Sequence, residues 1–159
     1  EYTPFVCKWF EAYQKKIDAE NVRRIYELLE GNTYCMQRTF HEAFANTATD
    51  GDCTTEILEQ SIRSILEDNG HTYSRMLAQI PTRQKELLYA IASEGKADKV
   101  LGSAFIKRHS LQSASSVQAA LKKLLALDFI TMEESYYTLP DRFMSLYIKL
   151  RQNPSMRLL

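Results

Sequence analysis

Apolar residues recur at the spacing of an amphipathic helix throughout the first half of the chain. Gly31 and Gly70 follow two of these stripes, at positions where glycine commonly ends a helix. Gly70 is predicted to end or bend its helix, with a further short helical piece after it. The pattern predicts a bundle of four or five helices over residues 1–79. Its apolar stripes are Phe5, Trp9 and Phe10; Val22, Ile25, Tyr26 and Leu29; Tyr34, Met36, Phe40 and Phe44; and Ile57, Leu58, Ile62, Ile65 and Leu66.

In the second half of the chain, three segments have apolar residues at helical spacing, and a segment with a hairpin pattern follows them. Pro81 disfavours helix at Ile80 and marks a boundary between the two halves. Further on, β-branched and aromatic residues lie on both sides of the polar residues 133–135, a pattern typical of a hairpin. The predicted segments are helices at 83–93, 103–110 and 114–127, a hairpin at 129–139 and a helix at 141–150.

Three helices followed by a hairpin are the order of a winged helix-turn-helix domain. The predicted fold is therefore mainly α, with a helical bundle followed by a winged helix-turn-helix and its small β-hairpin. The predicted domains are the bundle at 1–79, the winged helix-turn-helix at 80–151 and a frayed tail at 152–159. In the third helix of the winged domain, the residues expected to face the core are Val117, Ala120, Leu121, Leu124 and Leu125.

The composition of the chain bears on the class of protein and on its location in the cell. The chain is 45% hydrophobic and 25% charged, as in ordinary globular proteins, and no apolar run approaches the roughly 20 residues that cross a bilayer. We therefore expect no membrane partner. Three cysteines without close spacing favour reduced thiols and a cytoplasmic location. Because the chain begins at Glu1 without a leader, we expect a fragment of a longer protein whose missing part is N-terminal.

The net charge of zero hides an asymmetry between the two halves. Residues 1–80 carry eight Lys and Arg against thirteen Asp and Glu, whereas residues 81–159 carry twelve against seven. A basic second half suits an anionic partner such as nucleic acid.

The outward face of the third winged-domain helix is the candidate surface for DNA. At about 100° per residue, Ser115, Gln118, Ala119 and Lys122 lie together opposite the apolar stripe. In a helix-turn-helix this face enters the major groove. Small residues allow close approach, and the Gln118 amide matches the edge of adenine. The candidates for contacts with phosphates are Lys122 and Lys123, together with Lys107 and Arg108 of the preceding helix.

A surface that contacts protein, or is only solvated, explains the same pattern. Every amphipathic helix has a polar face, and winged helices also serve as protein-contact modules. The candidate face has no arginine, and the hairpin tip carries Glu133 and Glu134, which would repel a phosphate backbone. DNA binding and protein binding both remain open at this stage.

Several segments of the chain resemble one family. The sequences "SASSVQ" and "ALKKL", followed by a hairpin and an aromatic closing helix, are similar to the C-terminal winged helix of archaeal-type AAA+/STAND P-loop ATPases. The first half resembles the helical lid of the same family. There Gly31, Asn32, Tyr34 and Gln37 match a family motif, whereas Thr33 stands where that family has proline.

The resemblance implies that this chain is the lid plus winged helix of an ATPase whose core is absent from it. Gly31, Asn32 and Arg38 would then sense nucleotide held by the core, which implies ATP and Mg²⁺ for the parent protein and no cofactor for the fragment. The chain has no G-x-x-x-x-G-K-[ST] sequence to bind phosphates. We expect the fragment itself not to be an enzyme, and we expect the ATPase core to be a partner.

No candidate catalytic or metal site emerges from the remaining residues. Cys35 and His41 fall on different faces of one predicted helix, and no Cys and His residues have zinc-ligand spacing. Three hypotheses remain: the regulatory region of an ATPase, a stand-alone winged-helix transcriptional regulator with an N-terminal dimerisation bundle, and a protein-interaction module. Homo-oligomerisation or another protein partner is compatible with each.

Overall fold

The computed structural model describes residues 2–159, which divide into two compact units. The first unit extends to Asn69 and includes Met156–Leu159, and the second is Gly70–Ser155. Helix α4 contributes to both, because its residues up to Asn69 belong to the first unit and the rest to the second. The sequence placed the change of domain at 79/80, before Pro81, and those boundaries stay a prediction.

The first unit is built from helices, with one short pair of strands that the sequence did not indicate. The strands are parallel, with Lys16 opposite Asp52 and Ile17 opposite Cys53. Its core contains Val6, Phe10, Val22, Ile25, Leu29, Met36, Phe40, Leu58 and Ile62. Its elements are α1 (Tyr2–Glu11), β1 (Lys16–Ile17), α2 (Ala19–Leu28), α3 (Thr33–Asn46), β2 (Asp52–Cys53) and the first part of α4 (Thr55–Gln79).

Three residues of the predicted apolar stripes are exposed, and Tyr34 of α3 is the most exposed of them at 70%. Phe5 is 66% exposed, because the buried side of α1 is centred on Val6 and Phe10, and Phe5 lies about 140° around the helix from Phe10. Tyr26 is 51% exposed at the edge of the α2 stripe. Its ring lies over Gly31, where an added Cβ would be 3.0 Å from the tyrosine hydroxyl.

Of the two alternatives predicted at Gly70, an end or a bend of the helix, the end is wrong, since α4 continues through it to Gln79. Glycine inside a helix costs about 1 kcal/mol relative to alanine. Within the second unit, however, its missing side chain lets the Tyr147 ring approach closely, so that a Cβ there would be 3.4 Å from that ring. The Tyr147 hydroxyl also donates a hydrogen bond to the Gly70 carbonyl at 3.2 Å. Tertiary packing therefore explains this glycine.

The second unit has the elements of a winged helix-turn-helix, which confirms the predicted mainly α fold. The strands form an antiparallel sheet in the order β3-β5-β4. In it Thr131 lies opposite Thr138, and Ala97 lies opposite Tyr137. After α4 the elements are α5 (Thr82–Glu94), β3 (Ala97–Asp98), α6 (Ser103–Arg108), α7 (Ala114–Ala126), β4 (Thr131–Glu133), β5 (Tyr136–Thr138) and α8 (Arg142–Gln152).

The core of the second unit joins its helices to one another. Four of the five residues predicted to face inward from α7 are buried, and Leu125 is half-buried. Burial of each valine or leucine side chain stabilises the unit by roughly 1.5–3 kcal/mol, which fixes the orientation of α7. The large buried side chains of the unit include Leu87, Leu88, Ile91, Phe105, Val117, Leu121, Leu124, Phe143, Leu146 and Ile148.

The last residues of the chain make hydrogen bonds within the first unit. Arg63 Nη2 donates to the Met156 carbonyl at 2.8 Å, and the Leu158 amide donates to Glu59 Oε1 at 3.4 Å. Glu59 and Arg63 are themselves ion-paired. The sequence suggested a frayed end here, whereas Met156 and Leu158 are hydrogen-bonded in the structure.

Replacing Tyr147 by Phe tests a polar cluster that joins α4 to α8 within the second unit. The Tyr147 hydroxyl lies 2.7 Å from Ser74 Oγ and accepts a hydrogen bond from Arg151 Nη1 at 2.9 Å. We expect Tyr147→Phe to lower the free energy of unfolding by about 1 kcal/mol, measured by urea denaturation. Tyr13→Phe, at a ring that is 60% exposed, is the control and should change stability by less than about 0.5 kcal/mol.

Candidate nucleic-acid interface

Helix α7 begins at a side-chain cap. The Ser113 hydroxyl accepts a hydrogen bond from the Ser116 backbone N–H at 3.2 Å, and Ser113 has an extended backbone as N-cap residues do. The Ser115 hydroxyl lies 3.1 Å from the Ser113 hydroxyl. The cap therefore places small polar groups at the start of the helix.

The outward face of α7 forms a shallow depression of about 500 Å³. The structure brings together the residues that helical spacing had grouped, with Ser115, Gln118, Ala119 and Lys122 exposed. Leu121 and Leu125 add apolar surface to the same depression. The face therefore combines an amide, a hydroxyl and an ammonium group with methyl groups, and any of these can contact a base edge or a protein surface.

Three of the four candidate cations are available to a ligand. Lys107, Lys122 and Lys123 are exposed, and over residues 2–159 none of them is in a salt bridge. Lys107 lies in the last turn of α6 and Lys122 and Lys123 in the second half of α7. Their ammonium groups are therefore free to bind anions such as phosphates.

The fourth candidate, Arg108, is already paired. Its Nη1 lies 2.5 Å from Glu94 Oε1, and the same oxygen lies 2.7 Å from His109 Nε2. The His109 ring also packs against Phe105, with the ring centroids 4.6 Å apart. Burial raises the pKa of the Glu94 carboxyl, but the hydrogen bonds and charges of His109 and Arg108 outweigh burial and bring that pKa below its usual value. Glu94 is therefore a charged partner at neutral pH.

The wing carries negative charge at its tip. Glu133 and Glu134 are exposed at the β4–β5 turn, and the Tyr136 hydroxyl donates a hydrogen bond to Glu133 Oε2 at 2.9 Å. That bond raises the pKa of Tyr136 above its usual value. The Lys96 ammonium lies 5.1 Å from the centroid of the Tyr136 ring. The tip is thus acidic, with one lysine beside it.

The nucleotide-sensing candidates form a turn between two helices of the first unit. Gly31 has a left-handed backbone with φ of 67°, and Asn32 caps α3 by accepting a hydrogen bond from the Cys35 N–H at 3.0 Å. Arg38 is exposed one turn into α3. The Asn32 side chain thus satisfies one N–H at the start of this helix, and the role of the turn as a nucleotide sensor stays a prediction.

Sequence reasoning missed Glu94 and His109. Glu94 is fourteen residues before Arg108 in the chain, and only the folding of the domain brings the last residues of α5 and α6 together. Glu94, directly after the helix predicted at 83–93, gave no signal of this pairing. Among residues 2–159 no group of His, Cys, Asp and Glu is arranged to hold a metal ion, and no helix there is long and apolar enough to span a bilayer.

The arrangement of α5, α6, α7 and the wing agrees with a comparison to known protein families. A family model described as "Probable winged helix domain" matches residues 71–150, half of the chain. The chain belongs to this winged helix family. No curated protein and no solved structure shows significant similarity to it.

The winged helix assignment is compatible with a regulatory role or with binding of DNA or protein. Winged helix domains can bind DNA or proteins, and in a helix-turn-helix the recognition helix enters the major groove. Here the third helix is α7 and the wing is the β4–β5 hairpin. The candidate face therefore lies on the helix that corresponds to the recognition helix of a helix-turn-helix.

Proposed function

We propose that the winged helix domain binds double-stranded DNA through the outward face of α7. The observation that carries the proposal is the juxtaposition on α7 of Ser115, Gln118 and Lys122 around one depression. Lys123 and Lys107 are also exposed and form no salt bridge with any residue in 2–159. Twelve Lys and Arg against seven Asp and Glu in Gly70–Ser155 add a favourable long-range field.

Each residue of the face has a distinct role in this proposal. The Gln118 amide faces base edges, where it can donate to and accept from adenine. Lys122, Lys123 and Lys107 bind phosphates and supply most of the affinity, which is independent of sequence. Ser115 and Ala119 are small enough to let the helix approach the floor of the major groove.

We further propose that the chain is the regulatory C-terminal region of an AAA+/STAND-type ATPase. The support is the resemblance of "SASSVQ", "ALKKL" and the Gly31–Gln37 segment to that family. In the parent protein, Gly31, Asn32 and Arg38 would respond to ATP and Mg²⁺ bound by the core. The winged helix would then couple the state of the nucleotide to DNA.

Protein binding is the second candidate, and two observations favour it. Leu121 and Leu125 give the depression on α7 apolar surface, and Glu133 and Glu134 make the wing tip acidic. A phosphate backbone would be repelled by that tip, whereas a protein with basic and apolar groups would fit both features. This candidate becomes the better one if DNA does not bind.

Titration of the protein against a mixed-sequence fluorescent duplex at about 50 mM and 150 mM salt tests the proposal. We expect binding that is detectable at the lower salt and weakens steeply at the higher, because lysine–phosphate contacts release counterions. No binding at the lower salt would overturn the proposal and favour the protein-binding candidate.

A further inference from the structure

One carboxylate oxygen of the winged helix domain is shared by two basic side chains of different exposure. Glu94 Oε1 accepts hydrogen bonds from Arg108 at 2.5 Å and from His109 at 2.7 Å. The Arg108 side chain is 62% exposed, whereas those of His109 and Glu94 are 16% and 19% exposed. Arg108 is therefore the outer partner of Glu94 and His109 the inner one.

This arrangement lets Arg108 leave at low cost. If Arg108 turns away, Glu94 still accepts a hydrogen bond from His109, so the half-buried carboxylate is not left without a donor. An ion pair with so exposed a partner contributes little to stability. A guanidinium binds phosphate in the same forked geometry as it binds carboxylate, so a phosphate can replace Glu94 as its partner.

Arg108 is close enough to the proposed interface for this exchange. It is the last residue of α6, directly after the unpaired Lys107 and five residues before Ser113, the cap of α7. Five residues of chain span at most about 18 Å, and the arginine side chain adds to that reach. A backbone phosphate of a duplex bound to α7 is therefore within reach of the Arg108 guanidinium.

We propose that Glu94 is an internal competitor of DNA phosphate for Arg108. In the free protein Glu94 holds Arg108, and on binding Arg108 transfers from the carboxylate to a phosphate while His109 keeps Glu94 hydrogen-bonded. Glu94 thereby weakens the binding of any duplex and sets the affinity to a moderate level. This inference rests on the proposed DNA-binding function.

Glu94→Gln is the direct test, since the amide oxygen can still accept the hydrogen bond from His109 but no longer attracts Arg108 as a charge. We expect this variant to bind the mixed-sequence duplex about three- to tenfold more tightly at 50 mM salt, with a similar salt slope, because Arg108 contacts a phosphate in both complexes. The gain should vanish in the Glu94→Gln/Arg108→Gln double variant, because it requires the freed guanidinium.

Asp98→Asn is the matched control. Asp98 and Arg108 line the same surface depression, so the variant removes an equal charge near Arg108 without breaking a bond to it. A similar gain from Asp98→Asn, a gain that persists without Arg108, or no gain from Glu94→Gln would each overturn the inference while the wild type still binds. If neither the wild type nor Glu94→Gln binds at 50 mM salt, the DNA-binding function and this inference fail together.

Discussion

Leu124→Ala is expected to lower the free energy of unfolding of the winged helix domain by about 2–5 kcal/mol. Leu124 is 0% exposed and lies on the side of α7 that packs into the core. Removing its side chain loses buried apolar surface and leaves a cavity that tightly packed neighbours fill only in part. Because whole domains are stable by only about 5–15 kcal/mol, this single change should be evident in urea unfolding followed by circular dichroism.

Leu127→Ala is the control for this prediction. Leu127 follows the last residue of α7 and is 55% exposed, so the same substitution removes little buried surface. We expect it to change the unfolding free energy by less than about 0.5 kcal/mol. If the two variants lost equal stability, the division of α7 into a core side and an outward side would be wrong, and the candidate interface with it.

That division was predictable because it depends on a local period. Val117, Leu121 and Leu124 recur at helical spacing, and the complementary positions Ser115, Gln118 and Lys122 necessarily share the opposite side. The hairpin was predictable for a similar reason, since the period changes where β-branched and aromatic residues begin. The order of these elements was sufficient to predict a winged helix-turn-helix.

The third strand of the winged domain was not predictable in this way. It consists of Ala97 and Asp98 alone, which is too short for an alternating pattern, and it exists because Ala97 pairs with Tyr137. The prediction that the helix ends at Gly70 was wrong for a related reason. Glycine disfavours helix locally, but the close approach of Tyr147 in the folded domain favours it at that position.

Which of the candidate basic residues form ion pairs could also not be predicted from the sequence. Lys107 and Arg108 are neighbours with the same charge, yet Arg108 is bound to Glu94 and Lys107 is not. The difference arises because the fold brings the end of α5 to the end of α6, a tertiary arrangement that no local pattern encodes. A sequence-based list of basic residues therefore overstates the positive charge that this surface presents to a ligand.

The double variant Lys122→Ala/Lys123→Ala is expected to bind duplex DNA about tenfold more weakly than the wild type at 50 mM salt. Both side chains are exposed on α7 and neither is in a salt bridge within the described residues. Each lysine that meets a phosphate releases about one counterion, so the double variant should also lower the salt slope by about two. The loss should be similar for duplexes of different sequence, because phosphate contacts do not read bases.

Lys8→Ala/Lys16→Ala supplies the matched control, since it removes the same two charges from exposed lysines of the first unit. A general dependence on net charge would lower affinity equally in both double variants, whereas a contact at α7 lowers it only for Lys122 and Lys123. Unchanged affinity and an unchanged salt slope after the α7 substitutions would contradict the proposed interface. In that case any DNA affinity of the wild type would have to come from another surface, and α7 with its apolar floor of Leu121 and Leu125 would be better explained as a protein-contact surface.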